Sequence, residues 1–516
     1  MRTKKSAINM ITAIISQFVV ILLGFISRKV MIDSIGVEYL GINGLMNNIL
    51  TILSLAESGI GVAMVYALYK PLAENNIQQI RALMNFYKNT YRLLAILTAV
   101  IGLSVLPFLD KLMKDNTIEN SVVIYLLFLF SSVCSYLYSY KVSMNNADQN
   151  KYLATIFNTI TQILVLVMKI LILYLTKNYI LFLCIDIGST LIKNIIFSKV
   201  IDNKYPYLKD KSKVKLDEEI KKSLVTNIRS LFLGKIGYII STSSDNLVIS
   251  SFISVKTVGL YSNYTMLTSS VGGFVSTFIS SVSASVGNLV AKESKEKVYE
   301  IFRITSLINF WLYGFSSICL FCLSEPFIAL VFGEEYTMGK ITLFFIICNF
   351  FLEGIIAPID SIKSAAGLYY PDRYIPIVAA IVNMAISILL VRQVGIVGVF
   401  LGTIISTLGF SFWIKPIIVY KNIFKLSCKK YFIDMFIKII SIIFIGGLCL
   451  FLGELLFFEY NFANFVGRFF ICMIVPNLIF FIATRKTKEF SYIYNFIKML
   501  LKNINLKFTK KESIGI

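Results

Sequence analysis

A chain of 516 residues that is 57% hydrophobic and 15% charged, with mean hydropathy +0.76, lies far from the roughly 25% charged residues usual for soluble domains. Lipid must be the solvent for most of it, which excludes a soluble globular enzyme. The net charge of +21 then has the anionic membrane surface as its partner rather than nucleic acid.

Apolar runs of about 20 residues, enough for a helix to cross ~30 Å of hydrocarbon, recur about fourteen times along the chain. None alternates apolar and polar residues as a membrane barrel strand does, so the fold class is an all-α polytopic membrane protein. The first run follows Arg2, Lys4 and Lys5 with no small-residue cleavage site after it, and is read as an uncleaved helix. On it Gln17, Gly24 and Arg28 share a face at 100° per residue. The second run carries Asn43, Asn47, Ser54, Glu57, Ser58 and Gly61 on one arc. Two readings stay open for these stripes: walls of one wet cavity, or a helix seam glued by small and polar residues.

Further along, Thr155, Asn158, Gln162 and Lys169 share a face of the fifth span, and Asp186, Thr190 and Lys193 one of the sixth. Asp186 and Lys193 are read as a structural charge pair. The seventh span holds Arg229, Lys235 and Asp245 with four hydroxyl residues, Ser241 to Ser244, between. The tenth places Asn349, Glu353 and Asp360 on one face, with Lys363 a turn beyond and Pro358 as an expected kink. Basic stretches at Lys199–Lys222, at Lys415–Lys438 and after Arg485 put both termini in the cytoplasm by the positive-inside rule.

The eight cysteines fall almost wholly inside apolar runs, Cys319-x-x-Cys322 included, and are read as small hydrophobes rather than disulfides or metal ligands. No metal site is expected. Gly333–Lys340 imitates a P-loop but has one intervening residue too many, with Ile341 where a hydroxyl should ligate magnesium. External loops are short and no catalytic motif is present, so the chain is not read as an enzyme. With zero histidines, ion coupling falls to carboxylates: Glu57, Asp245, Glu353 or Asp360. No cofactor is expected beyond a coupling ion, Na+ or H+. Charges in hydrocarbon cost several kcal/mol each and become site candidates by default.

A weak internal repeat lays Ile35–Gly41 over Ile253–Gly259, and in the same register Ala73 falls on Ala291 and Ile80 on Val298. Two-lobed transporters are built from such repeats, with substrate handled between them. The repeat puts spans one to six in an N-lobe (1–222) and seven to twelve in a C-lobe (223–420), with two further spans and a basic tail in 421–516.

Several stretches carry a resemblance over nearly the whole chain: Gly36-Val-Glu-Tyr-Leu-Gly-Ile-Asn-Gly44, Leu55-Ala-Glu-Ser-Gly-Ile-Gly61, Tyr69-Lys-Pro-Leu-Ala73, Thr242-Ser-Ser-Asp-Asn246, Ala366-Gly-Leu-Tyr369 and Gly395-Ile-Val-Gly-Val-Phe-Leu-Gly-Thr403. In their order and spacing the chain resembles the lipid-linked oligosaccharide flippases (Wzx-type, polysaccharide transporter branch) of the multidrug/oligosaccharidyl-lipid/polysaccharide exporter superfamily. The resemblance implies a MATE-like fold of two pseudo-symmetric six-helix lobes plus two C-terminal helices. It implies that spans one, two, seven and eight line a central cavity, which promotes Arg28, Glu57, Arg229, Lys235 and Asp245. The implied substrate is an undecaprenyl-diphosphate-linked sugar repeat unit, flipped across the bacterial plasma membrane by alternating access for capsule or other surface polysaccharide. Arg28, Arg229, Lys235 and Lys169 are the expected diphosphate-binding cations, and polysaccharide polymerase machinery an expected partner. Two related readings compete: a small-molecule or drug antiporter, and a peptidoglycan lipid-precursor flippase.

Overall fold

The computed structural model describes residues 2–495 and 498, apart from 58–59, 116, 148–150, 210–215, 293, 367, 369–370, 458 and 460. Side chains in several helical stretches, among them 2–15, 151–157, 229–231, 233–235 and 280–292, lie outside the description. Every regular element among the described residues is helical. The order is α1 (Arg2–Ile35), α2 (Glu38–Leu53), a 3-10 turn (Ser54–Glu57), α3 (Ile60–Ala73), α4 (Ile77–Val105), a one-turn α5 (Leu109–Leu112), α6 (Ser121–Ala147), α7 (Lys151–Thr176) and α8 (Tyr179–Lys204). There follow α9 (Glu218–Phe252), α10 (Val255–Lys292), α11 (Lys295–Val331), α12 (Lys340–Ala365), α13 (Ile375–Val394), α14 (Ile396–Ser406), α15 (Phe412–Val419), α16 (Lys429–Leu456) and α17 (Phe462–Thr484).

With α2–α3 and α14–α15 taken as interrupted single spans and α5 set aside, these helices supply all the expected membrane segments. Among the described residues, ten are long and apolar enough to cross a bilayer by length and composition. The span-length stretches outside that set are α1, α2–α3, α9 and α10, on which Arg28, Glu57, Asp245 and Asn263 lie.

Two compact units interleave along the chain, 1–263 with 373–406 and 264–372 with 407–516. In the first, Met64, Leu68, Tyr87, Tyr91 and Tyr136 form a buried core where α3, α4 and α6 meet. The side chains of Asn76 and Asn178 cap α4 and α8 by accepting from backbone N–H groups of the first turn, groups that otherwise lack partners. Lipid offers no hydrophobic drive for helices to associate, so close packing must do it. Gly237 of α9 lies so near α13 that a Cβ there would sit 2.2 Å from the Pro376 carbonyl carbon.

The second unit is built on aromatics, with Phe302, Phe310, Tyr420, Phe424, Tyr431 and Phe480 in one cluster of α11, α15–α16 and α17. Asn309 of α11 donates to the Gly354 carbonyl of α12 at 2.6 Å, and Arg468 of α17 caps α16 by donating through Nε to the Phe457 carbonyl at 2.8 Å. Tyr264 of α10 donates to the buried Glu325 carboxylate of α11 at 2.6 Å.

Candidate functional site

The first unit contains a crossing that explains two glycines at once. A Cβ on Gly41 of α2 would lie 2.0 Å from the Val255 carbonyl oxygen, and one on Gly259 of α10 would lie 2.2 Å from the Val37 carbonyl oxygen. In the register that lays Ile35–Gly41 over Ile253–Gly259, Val37 falls on Val255 and Gly41 on Gly259. Each copy's glycine therefore receives the other copy's carbonyl, the reciprocity that a two-fold axis produces when i contacts j and j contacts i. Glu38 and Lys256, also equivalent, form an ion pair at 3.9 Å; being exposed, it contributes at most about 1 kcal/mol.

Arg28 projects from α1 towards the start of α10. Its Nη1 donates to Ser262 Oγ and to Asn263 Oδ1, both at 2.8 Å. Asn263 is fully buried, and its Nδ2 has no partner among the described residues. No carboxylate pairs with Arg28 among the described residues. By contrast Lys141, Lys169, Lys363 and Lys415 are paired with Asp202, Asp186, Asp372 and Asp360 respectively. A cation without a counter-ion inside a span is a candidate binding residue by default.

Asp245 of α9 stands at a second polar centre. Thr403 of α14 lies beside its carboxylate, and Asn383 of α13 donates through Nδ2 to Thr403 Oγ1 at 2.8 Å. Asn383 is fully buried. Asp245 Oδ1 and Asn383 Oδ1 are both buried with no partner among the described residues. One turn along α13, Ser387 donates to the Val399 carbonyl at 3.2 Å. The centre thus joins one carboxylate to neutral amide, hydroxyl and carbonyl oxygens, a set that fits a hard cation carrying a single charge. No cluster of three His, Cys, Asp or Glu suited to a metal ion occurs among the described residues.

The remaining candidates stand apart from these centres. Glu57 lies beside Tyr136, a buried residue of the α3–α4–α6 core. Lys169 of α7 contacts Asp186 of α8 at 2.9 Å and lies over the Phe182 ring, 4.2 Å from its centroid. The expected partnership of Asp186 with Lys193 is therefore replaced. Those two are separated by about 10 Å of rise along one helix, whereas Lys169 faces Asp186 from the neighbouring one. In the second unit Glu353 is exposed and Asp360 is bonded to Lys415 at 2.7 Å. The Arg229 and Lys235 side chains lie outside the described residues. Sequence reasoning missed Ser262 and Asn263, adjacent polar residues among tyrosines and hydroxyls, and Asn383, a single amide in an apolar run; Thr403, which closes one of the motifs above, was the available signal for the second centre.

Residues 38–339 match the model of the polysaccharide biosynthesis protein family. The chain belongs to that family. No curated protein sequence is significantly similar to it. Among solved structures, the lipid II flippase MurJ in an inward closed conformation is similar over 93% of this chain and 99% of its own, with TM-score 0.64 at 16% identity. A mutant of the Vibrio cholerae MATE transporter VcmN is similar over 82% of this chain and 99% of its own, with TM-score 0.55 at 15% identity. An inward-facing multidrug resistance MATE family transporter of the MOP superfamily gives 0.56 at 14% identity, over 75% of this chain and 91% of its own. At these identities the likeness is one of fold. This polysaccharide biosynthesis protein is a multi-pass membrane protein with the architecture of MATE and MurJ transporters, and its family match spans Asp245, Ser262 and Asn263.

Proposed function

We propose that the chain is a flippase that moves an undecaprenyl-diphosphate-linked oligosaccharide repeat unit across the bacterial plasma membrane, from the cytoplasmic to the outer leaflet, for capsule or other surface polysaccharide. The observation that carries this is Arg28, held by two side chains of α10 through Nη1 alone and lacking a carboxylate partner among the described residues. A guanidinium has five N–H donors in a planar fork, so Nε and Nη2 remain to bind phosphate oxygens with charge assistance. The family membership supports polysaccharide as the cargo class, and the shared fold supports alternating access. Arg229 and Lys235 belong to the same proposed cationic set, by their place in α9.

Asp245, Asn383 and Thr403 are the residues we assign to the coupling ion, with sodium as the reading that unpaired oxygen acceptors favour. Bound there, the ion would neutralise Asp245 and tie α9 to α13 and α14. In this reading Thr403 stands beside the Asp245 carboxylate, and Asp245 Oδ1 and Asn383 Oδ1, which have no donor among the described residues, are presented to the ion.

Depleting the protein and locating the lipid-linked oligosaccharide by leaflet tests the assignment. Accumulation in the cytoplasmic leaflet with loss of surface polysaccharide is the expected result. The fold shared with a lipid II flippase makes the peptidoglycan precursor the competing cargo, and the mass of the accumulated lipid separates the two. Unchanged glycan export would remove the assignment and favour a small-molecule antiporter.

A further inference from the structure

The second unit holds a cavity of about 380 Å³ between α11, the end of α15, α16 and α17, within the size range of small-molecule sites. Its inner wall is apolar, formed by Phe302, Phe310, Met435, Ile445, Ile479 and Phe480. Its rim is charged, and the charges are unequally committed. Glu489 is taken by Arg303 at 2.5 Å and Asp434 by Lys438 at 2.7 Å, and the Lys438 ammonium also lies 5.3 Å from the centroid of the Phe310 ring. Two donors are left over. Lys430 has no ionic partner among the described residues, and the buried Ser306 hydroxyl has no hydrogen-bond partner among them. The cavity therefore has its acids satisfied and its donors open.

An uncommitted ammonium at the rim with an unpaired hydroxyl beneath it calls for an anion, and an apolar wall behind them calls for a chain attached to it. The cavity lies where α11 and α16 begin and α17 ends. That end of the unit also carries Lys421, Lys425, Lys429, Arg485, Lys486 and Lys488, the basic excess that attracts anionic lipid. We propose that this cavity is a binding site for an anionic phospholipid, with the headgroup phosphate at Lys430 and Ser306 and one acyl chain along the phenylalanine wall. The site is separate from Arg28 and from Asp245, and it stands whatever the transported cargo is.

Native mass spectrometry of the full-length protein, delipidated in mild detergent and titrated with phosphatidylglycerol or phosphatidylcholine, tests this. Phosphatidylglycerol is expected to be retained at least five-fold better, with the preference lost in Lys430→Glu and the occupancy itself lost in Ser306→Phe, which fills the cavity. Lys430 is exposed, so Lys430→Glu keeps the test valid should Ser306→Phe misfold. Equal retention of the two lipids, or retention indifferent to Lys430→Glu, would overturn the proposal. So would displacement of phosphatidylglycerol by inorganic phosphate alone, which would assign the site to free phosphate, or by a polyprenyl diphosphate at lower concentration, which would assign it to the cargo.

Discussion

Where α2 crosses α10, the two copies of the repeat are interchangeable: Gly41 meets the Val255 carbonyl as Gly259 meets the Val37 carbonyl. Further back in each copy the equivalence ends, because Arg28 falls on Asn246, and Ser27 on Asp245, in the same register. The placement of these residues still echoes the symmetry. Arg28 bonds to Ser262, and Asn246 Nδ2 lies 3.7 Å from the Cβ position of Gly44, the residue equivalent to Ser262. Backbone packing has thus kept the two-fold relation while the side chains have diverged, one copy holding a cation and the other an acid with unpaired oxygens around it. Steric demand explains the difference. A crossing with carbonyls 2.0 and 2.2 Å from the Cβ positions admits only glycine on either side, whereas a buried polar site tolerates any group that finds a partner.

The largest expected effect is at the crossing. Gly41→Leu and Gly259→Leu should each destabilise by more than the ~1–3 kcal/mol typical of overpacking, seen as a lower unfolding temperature in detergent, and by similar amounts. A large loss in only one of them would break the reciprocity. Gly188, with nothing within 4 Å of its Cβ position inside α8, is the control: Gly188→Ala should be neutral or stabilising by up to about 1 kcal/mol.

Arg28→Ala comes next, expected to slow transport by roughly 10- to 100-fold, the equivalent of a charged hydrogen bond worth ~1.5–3 kcal/mol, with little change in unfolding temperature. Arg28→Lys should recover part of that loss, since it keeps the charge and not the fork. Asp245→Asn should abolish sodium-dependent thermal stabilisation while leaving the stability without sodium near that of the parent; a sodium response unchanged by this substitution would remove the ion assignment. The smallest effect belongs to Lys169 and Asp186. Asp186 is half exposed, so a double-mutant cycle on transport and stability should return a coupling of about 1 kcal/mol or less.

The helices were legible because hydrocarbon leaves a chain so few options: runs of span length must be helical. The repeat was legible at Ile35–Gly41 because the crossing forbids side chains there, and steric necessity leaves a mark in sequence. Partnerships were not. Lys415 reads as one more cation of a basic connector, and only its placement beside Asp360 reveals an ion pair across helices. Asp186 invited Lys193 because a single-helix reading sees only its own face, while the true partner comes from α7. Asn263 sits in a polar stretch with Ser262 and Thr265, and Asn383 alone in an apolar run, and their burial and unpaired atoms arise from neighbours remote in the chain.

The central claim is that a cation left without a counter-ion in the first unit binds the diphosphate of a lipid-linked glycan. The direct measurement is flipping of a polyprenyl-diphosphate oligosaccharide in liposomes containing the purified protein or its Arg28→Ala variant, with folding checked for both. The account predicts transport by the parent and a loss of at least about ten-fold in the folded variant. Equal rates for the two proteins, or no transport by the parent under an imposed sodium gradient of either direction, would contradict it.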